Sequence, residues 1–168
     1  MPGPVAALSF LMEITLFAVG KLRPFYREAC DEYIKRIQRY ARLSEREIKE
    51  SSRTGSVAET NLDEGRRMRD KFPPRAIIIG LTRPGSAWSS AELAEHMGRW
   101  LTESKPLVFA IGGSTGLGEA ALAPARFQWS LGPLTLPHEL ARVVVCEQIY
   151  RAFTILKGEP YHKGKGTR

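Results

Sequence analysis

Three short stretches of this chain are almost continuously apolar, and each predicts a β-strand. Residues 76–81 and 107–111 show no polar alternation, which is typical of strands buried on both faces of a parallel sheet. Residues 13–20 give a third candidate strand, closed by a glycine. The chain is therefore expected to contain a parallel sheet whose strands lie far apart in sequence.

In the segments outside these strands, the apolar residues recur at helical spacing. Residues 25–41 predict an amphipathic helix, and residues 56–72 predict a second helix that ends before two prolines. A third helix begins with a capping box of Ser89 and Glu92, and a long apolar helix follows over residues 137–156. The alternation predicts an α/β fold, with a parallel sheet flanked by helices.

Length and composition predict one domain over residues 12–163. The 168 residues are 43% hydrophobic, enough to bury a core without a disulfide or a metal. Residues 1–11 are expected to be a disordered extension, and residues 164–168 a basic C-terminal extension. The two cysteines have no C-x-x-C spacing, and the N-terminal apolar stretch is too short to span a bilayer. We therefore expect a cytoplasmic protein with no metal and no membrane contact.

The net charge of +7 is concentrated near the two ends of the chain. Residues 21–53 carry 10 basic and 6 acidic side chains, residues 151–168 carry 5 and 1, and residues 54–150 are neutral. Two basic segments around a neutral middle suggest a polyanionic partner such as RNA. An ordinary solvated basic surface is the alternative interpretation.

The glycine-rich stretch of residues 112–118 permits three motif interpretations. It fails as a phosphate-binding P-loop because Glu119 stands where lysine is required, and it matches a dinucleotide fingerprint only weakly. Residues 112–116 also form a literal G-x-S-x-G around Ser114, the nucleophile motif of serine hydrolases. This hydrolase hypothesis is disfavoured, because glycines and Pro124 interrupt the helix that should follow the serine.

Three loops are predicted at the carboxyl ends of the strands, where open parallel sheets bind their ligands. They are residues 82–87, 112–118 and 131–136. Together they offer leucine side chains as apolar walls, and glycines where the backbone can approach a ligand closely. Such a slot suits an adenine and a ribose without a phosphate, although the leucines could equally be plain core residues.

The C-terminal third of the chain carries a specific resemblance. Residues 129–153 read WSLGPLTLPHELARVVVCEQIYRAF, and residues 158–163 read GEPYHK. Together with AVGKL at 18–22, the Leu81-x-x-Pro84-Gly85 loop and IGG at 111–113, they resemble the ribosomal RNA large subunit methyltransferase H family of the SPOUT class. The resemblance covers about residues 12–163, and the chain departs from the family pattern only by its two extensions.

The resemblance implies a fold and an activity. The fold would be a SPOUT-type trefoil-knotted parallel sheet flanked by helices. The activity would be S-adenosylmethionine-dependent methylation of N3 of a pseudouridine in 23S rRNA, on the assembled ribosome. The enzyme would be a homodimer formed through its C-terminal helix. A non-enzymatic RNA-binding module is the main alternative.

The cofactor-binding residues follow from the resemblance position by position, and the other candidates follow from what methyl transfer to RNA requires. Arg142 is expected to orient the uracil or its phosphate, and His138 ranks second, as first acceptor of the N3 proton. Arg151, Tyr161, His162 and Lys163 are expected to contact RNA. The expected cofactor-binding residues are Leu81, Gly112, Leu131, Gly132, Pro133, Leu134, Thr135 and Leu136.

Overall fold

The structure is a computed structural model that describes residues 12–52 and 55–163. The two predicted extensions, residues 1–11 and 164–168, lie outside the described residues. Within the described part, no helix combines the length and the apolarity that crossing a membrane requires. The same part contains no group of three or more His, Cys, Asp or Glu side chains that could hold a metal ion.

The described residues form one five-stranded sheet in which every pairing is parallel. The strands are β1 (Glu13–Val19), β2 (Arg42–Ile48), β3 (Ile77–Ser86), β4 (Leu107–Ile111) and β5 (Phe127–Trp129). Their spatial order is β2-β1-β4-β3-β5, so the central strand, β4, follows three others in the chain. This confirms the predicted parallel sheet.

Helices connect the strands and lie close to the predicted positions. Capping boxes start two of them, with Ser56 and Glu59 on one and the predicted Ser89 and Glu92 on the other. The helices are α1 (Pro24–Ile37), α2 (Val57–Arg69), α3 (Ser90–Thr102), α4 (Glu119–Leu122) and α5 (His138–Leu156), followed by a 3₁₀ turn (Pro160–Lys163).

The sequence pattern missed both edge strands. β2 reads RLSEREI, and only Leu43 and Ile48 along it are buried, so its charges hide the strand pattern. β5 has three residues, too few to show any period. Each of these strands pairs with only one neighbour, so one side and much of one face stay open to water and tolerate polar residues.

Alternating residues of the central strands point into two separate cores. Leu16 and Phe109 belong to the larger core, which packs against α1, α3 and α5. Phe17 and Val108, their chain neighbours, belong to a smaller core that contains Met68 of α2. Burial on both faces accounts for the unbroken apolar runs in the sequence. Cys146 is fully buried in the larger core.

Candidate functional site

The three expected cofactor-binding segments lie on three adjacent strands or directly after them. Gly80 of β3 pairs with Ala110 of β4, and Leu81 pairs with Trp129 of β5. Leu81, Gly112 and the segment 131–136 therefore begin at the same carboxyl edge of the sheet. This is the edge at which open parallel sheets bind ligands.

The segment after Leu81 differs from the expectation. Residues 82–87 were expected to form a loop, but β3 continues to Ser86. Both Leu81 and Ser86 pair with Trp129, so the residues between them form an irregularity in the strand. The Ser130 N–H donates to the Ser86 carbonyl at 2.9 Å. This hydrogen bond ties the end of β3 directly to the start of the 131–136 segment.

The turn after β4 requires glycine for steric reasons. A Cβ at Gly112 would lie 2.1 Å from the carbonyl carbon of Gly116, which no side chain can tolerate. The Gly116 N–H donates to the Gly113 carbonyl at 3.0 Å, and Gly116 has φ +90°. Ser114 is exposed within this turn, and α4 begins only at Glu119. A nucleophile elbow needs a helix immediately after the serine, so the geometry argues against a serine hydrolase.

The 131–136 segment presents apolar side chains around an open backbone turn. Gly132 has φ +108°, and a Cβ placed there would meet no atom within 4 Å. Its N–H donates to the Ser130 hydroxyl at 3.2 Å. Leu134 is 73% exposed, whereas Leu131 and Leu136 are half-buried. Open space at a glycine, beside exposed and half-buried leucines, fits the base and ribose of a nucleoside.

Arg142 lies in a buried position that the sequence did not predict. Its side chain is 1% exposed, and its Nη2 donates to the Gly20 carbonyl at 2.8 Å. Its Nη1 lies 3.4 Å from a carboxylate oxygen of Glu45 and 3.8 Å from one of Glu47. Its Nε has no hydrogen-bond partner among the described residues. Arg142 therefore holds the carboxyl end of β1, and its side chain is buried in the single chain.

Sequence reasoning missed the acidic partners of Arg142 because it missed β2. Glu45 and Glu47 both lie on that strand, and Arg27 of α1 pairs with the same two carboxylates at 2.5 and 2.9 Å. The result is a cluster of two arginines and two glutamates beside β1. The alternating charges of the RLSEREI stretch were the signal that could have indicated such a cluster.

The first turn of α5 carries His138 and a buried carboxylate. His138 is half-buried, and Glu139 beside it is 7% exposed. Glu139 accepts hydrogen bonds from the Arg23 backbone N–H at 2.7 Å and from its Nε at 2.8 Å. That N–H, together with the guanidinium, holds the pKa of Glu139 below its usual range. The loop after β1 is thereby fastened to the start of α5.

The predicted RNA-contacting residues lie toward the other end of α5. The Tyr161 hydroxyl donates to Glu147 at 3.1 Å, and Arg151 pairs with the same carboxylate at 2.6 Å. The Arg151 guanidinium also lies 4.9 Å from the centre of the Tyr161 ring. Burial, together with the Glu147 carboxylate, raises the pKa of Tyr161. The backbones of residues 162–163 complete the 3₁₀ turn, and their side chains lie outside the described part.

The tail and the first turn of α5 are far apart within one chain. Glu147, which binds Tyr161, follows His138 by nine residues of continuous helix. At 1.5 Å per residue this places them about 14 Å apart along the axis. The structure therefore brings Arg151 and Tyr161 together, and Leu81, Gly112 and the 131–136 segment together, as two separate groups.

Comparison with solved structures identifies the class of fold. The chain superposes on a methylase family protein from Neisseria gonorrhoeae with a TM-score of 0.55 at 12% identity, covering 89% of this chain and 86% of that one. A protein described as a methyltransferase from Bordetella pertussis Tohama I gives 0.53 at 11% identity, covering 88% and 98%. At this identity the likeness establishes the fold alone, which this chain shares with both proteins.

Sequence comparison gives the family. Residues 12–162 match the family described as "Predicted SPOUT methyltransferase". Proteins named "Ribosomal RNA large subunit methyltransferase H" are 39% identical in an Anaeromyxobacter species and 40% identical in Carboxydothermus hydrogenoformans and Pseudomonas putida. Each match covers 90% of this chain and 100% of the relative. The chain therefore belongs to the SPOUT methyltransferase family, which confirms the family inferred from its motifs.

Proposed function

We propose that this protein transfers a methyl group from S-adenosylmethionine to N3 of a pseudouridine in 23S rRNA, acting on the assembled ribosome. One observation carries the proposal. The leucine- and glycine-lined segments converge at the carboxyl edge of the sheet, in a chain that matches the full length of relatives named for ribosomal RNA methylation. The net charge of +7 suits a polyanionic substrate.

The cofactor would be held by Leu81, Gly112 and the 131–136 segment. S-adenosylmethionine, when bound, supplies an activated methyl group, so the chain must position the nucleobase and accept its proton. The half-buried leucines would exclude water from the adenosine, and the open face of Gly132 would admit it to backbone hydrogen bonds. His138, in the adjacent first turn of α5, is the proposed first acceptor of the N3 proton.

Arg142 enters this proposal as a positioning residue. The sequence predicted a direct contact with the uracil or its phosphate, but a side chain that is 1% exposed cannot make one in the single chain. Its hydrogen bond to Gly20 instead fixes the loop after β1, which Glu139 fastens to the helix start that bears His138. Loss of Arg142 would therefore disturb the site indirectly.

A homodimer through α5 is part of the proposal. Leu140, Val143 and Val144 form a half-exposed apolar stripe on this helix, and Ile155 continues it toward the tail. A second copy packed on this stripe would cover it, and an antiparallel arrangement would bring the partner's tail toward the 131–136 segment. Within one chain, Glu147, which binds Tyr161, lies about 14 Å from His138 along the axis of α5, and this distance supports such an arrangement.

The trefoil knot is proposed together with the fold. It rests on the match of residues 12–162 to the SPOUT methyltransferase family.

The decisive experiment uses ribosomes from cells that lack this protein. They would be incubated with the purified chain and S-adenosylmethionine, and their 23S rRNA digested and analysed by mass spectrometry for methylated pseudouridine. We expect methylation with the intact chain and with the Ser114→Ala control. Tight RNA binding without any S-adenosylmethionine binding in calorimetry would instead establish the RNA-binding module.

A further inference from the structure

An aromatic pair lies beside Arg23 at the start of α1, with Phe25 exposed and Tyr26 half-buried. The rings of Phe25 and Tyr26 have centroids 4.3 Å apart at an interplanar angle of 42°. The Arg23 guanidinium lies 5.2 Å from the first ring centre and 5.3 Å from the second. Phe25 is 59% exposed, although burial of such a ring would be favourable. We name Arg23, Phe25 and Tyr26 the aromatic platform.

The aromatic platform is anchored to the first turn of α5, which bears His138. The backbone and side chain of Arg23 both bond to Glu139, the residue next to His138. Pro24 begins α1 and restricts the backbone between the cation and the first ring. A ligand that stacks on this surface would therefore immobilise few freely rotating groups, and it would lie beside the first turn of α5.

The charge around the aromatic platform selects its ligand. Lys21 and Arg23 are exposed, and the Arg23 side chain remains 62% exposed although it pairs with Glu139. Arg27 is already paired with Glu45 and Glu47, so Lys21 and Arg23 are the cations that a ligand can approach. An aromatic face flanked by cations suits a nucleobase joined to a phosphate, because the rings stack on the base while the cations approach the backbone. An apolar face of a second protein copy would gain the ring contact but would have to desolvate these charges.

We propose that the aromatic platform stacks on an unpaired base of the RNA substrate, next to the nucleotide being methylated. This inference rests on the proposed function, which it deepens by adding a substrate-binding surface that includes Phe25. Stacking is tolerant of base identity, so the aromatic platform would contribute affinity and position more than sequence specificity.

The test compares binding of short single-stranded oligoadenylate with binding of the same strand made abasic. Fluorescence anisotropy would be measured with the full chain and with Phe25→Ala, Phe25→Leu and Phe25→Trp. Loss of a stacked base costs about 1–3 kcal/mol, so the Ala and Leu variants should bind oligoadenylate roughly 5- to 150-fold more weakly. The Trp variant should retain affinity, and the abasic strand should bind all variants alike.

Val57→Ala is the matched control. Val57 is also an exposed apolar residue in the first turn of a helix, at 61% exposure, and its loss should leave RNA affinity unchanged. Circular dichroism would verify that each variant is folded. Unchanged oligoadenylate affinity in the Ala variant, or an equal loss with the abasic strand, would overturn the inference. So would an effect of Phe25 substitution on the monomer–dimer equilibrium alone, seen by sedimentation.

Failure of the proposed function would look different. In that case the intact chain would not methylate ribosomes, yet Phe25→Ala would still weaken oligoadenylate binding, and the aromatic platform would stand. If the intact chain does methylate ribosomes, Phe25→Ala should raise the KM for ribosomes and leave the affinity for S-adenosylmethionine unchanged. An unchanged KM in that assay would contradict the inference.

Discussion

Replacing Arg142 distinguishes a buried structural arginine from one that touches substrate. We consider Arg142→Met, which keeps most of the side-chain volume and removes the charge. Glu45 and Glu47 would remain paired with Arg27, so neither carboxylate would be left without a cation. The carbonyl of Gly20 would lose the donor that lies at 2.8 Å, and the longer contact to Val19 would be lost as well.

The expected cost follows from these contacts. A buried acceptor left without a donor costs about 1–3 kcal/mol. Removing one partner of a buried charge cluster costs about 3–5 kcal/mol when the other partner is left uncompensated. Because Arg27 still compensates the carboxylates, we expect a loss near the lower figure, about 3 kcal/mol. For a chain of this length, that loss lowers Tm by roughly 6–12 °C.

Urea unfolding followed by tryptophan fluorescence would measure the change. Arg151→Met is the matched control, on the same helix but in a pair whose arginine side chain is 29% exposed, and it should cost less than about 1 kcal/mol. The reasoning would be refuted if Arg142→Met unfolded at the same urea concentration as the intact chain while kcat/KM for ribosomes collapsed. That result would mean that Arg142 acts on the substrate directly.

Three further predictions concern the glycine turn, an aromatic cluster and the basic tail. Gly112→Ala should abolish S-adenosylmethionine binding in calorimetry, because its Cβ would clash with Gly116, whereas Ser114→Ala should bind normally. Burial among aromatic rings, with a smaller effect of Arg99, lowers the pKa of His96. The unfolded chain therefore takes up the proton first, and stability should fall as pH drops below about 6.5. Thermal melting should show a smaller fall in the His96→Gln variant. Replacing three lysines with alanine should weaken the salt dependence of RNA binding: Lys157, Lys163 and Lys165. Binding titrations at several salt concentrations would measure it, and each lost phosphate contact should reduce the slope of log K against log salt by about 0.7 on single strands.

The sequence alone determined the central strands, the main helices and the family. Unbroken apolar runs appear wherever a strand is covered on both faces, so β1, β3 and β4 were visible without coordinates. The capping residues Ser89 and Glu92 marked a helix start because their hydrogen bonds are local. The GPLTLP segment and the tail motif identified the family because both contain residues that set backbone turns and residues that carry side-chain chemistry.

Only the tertiary structure decided which residues meet. β2 carries four charged residues in seven, and its place beside β1 depends on pairing with a distant segment that no local pattern encodes. That pairing puts Glu45 beside Arg142, whose burial no local pattern indicates. Likewise, Arg23 reaches Glu139 across 116 positions of sequence. Such contacts arise from the packing of whole elements, so residue type and spacing could suggest which loops form a site but not which side chains pack around it.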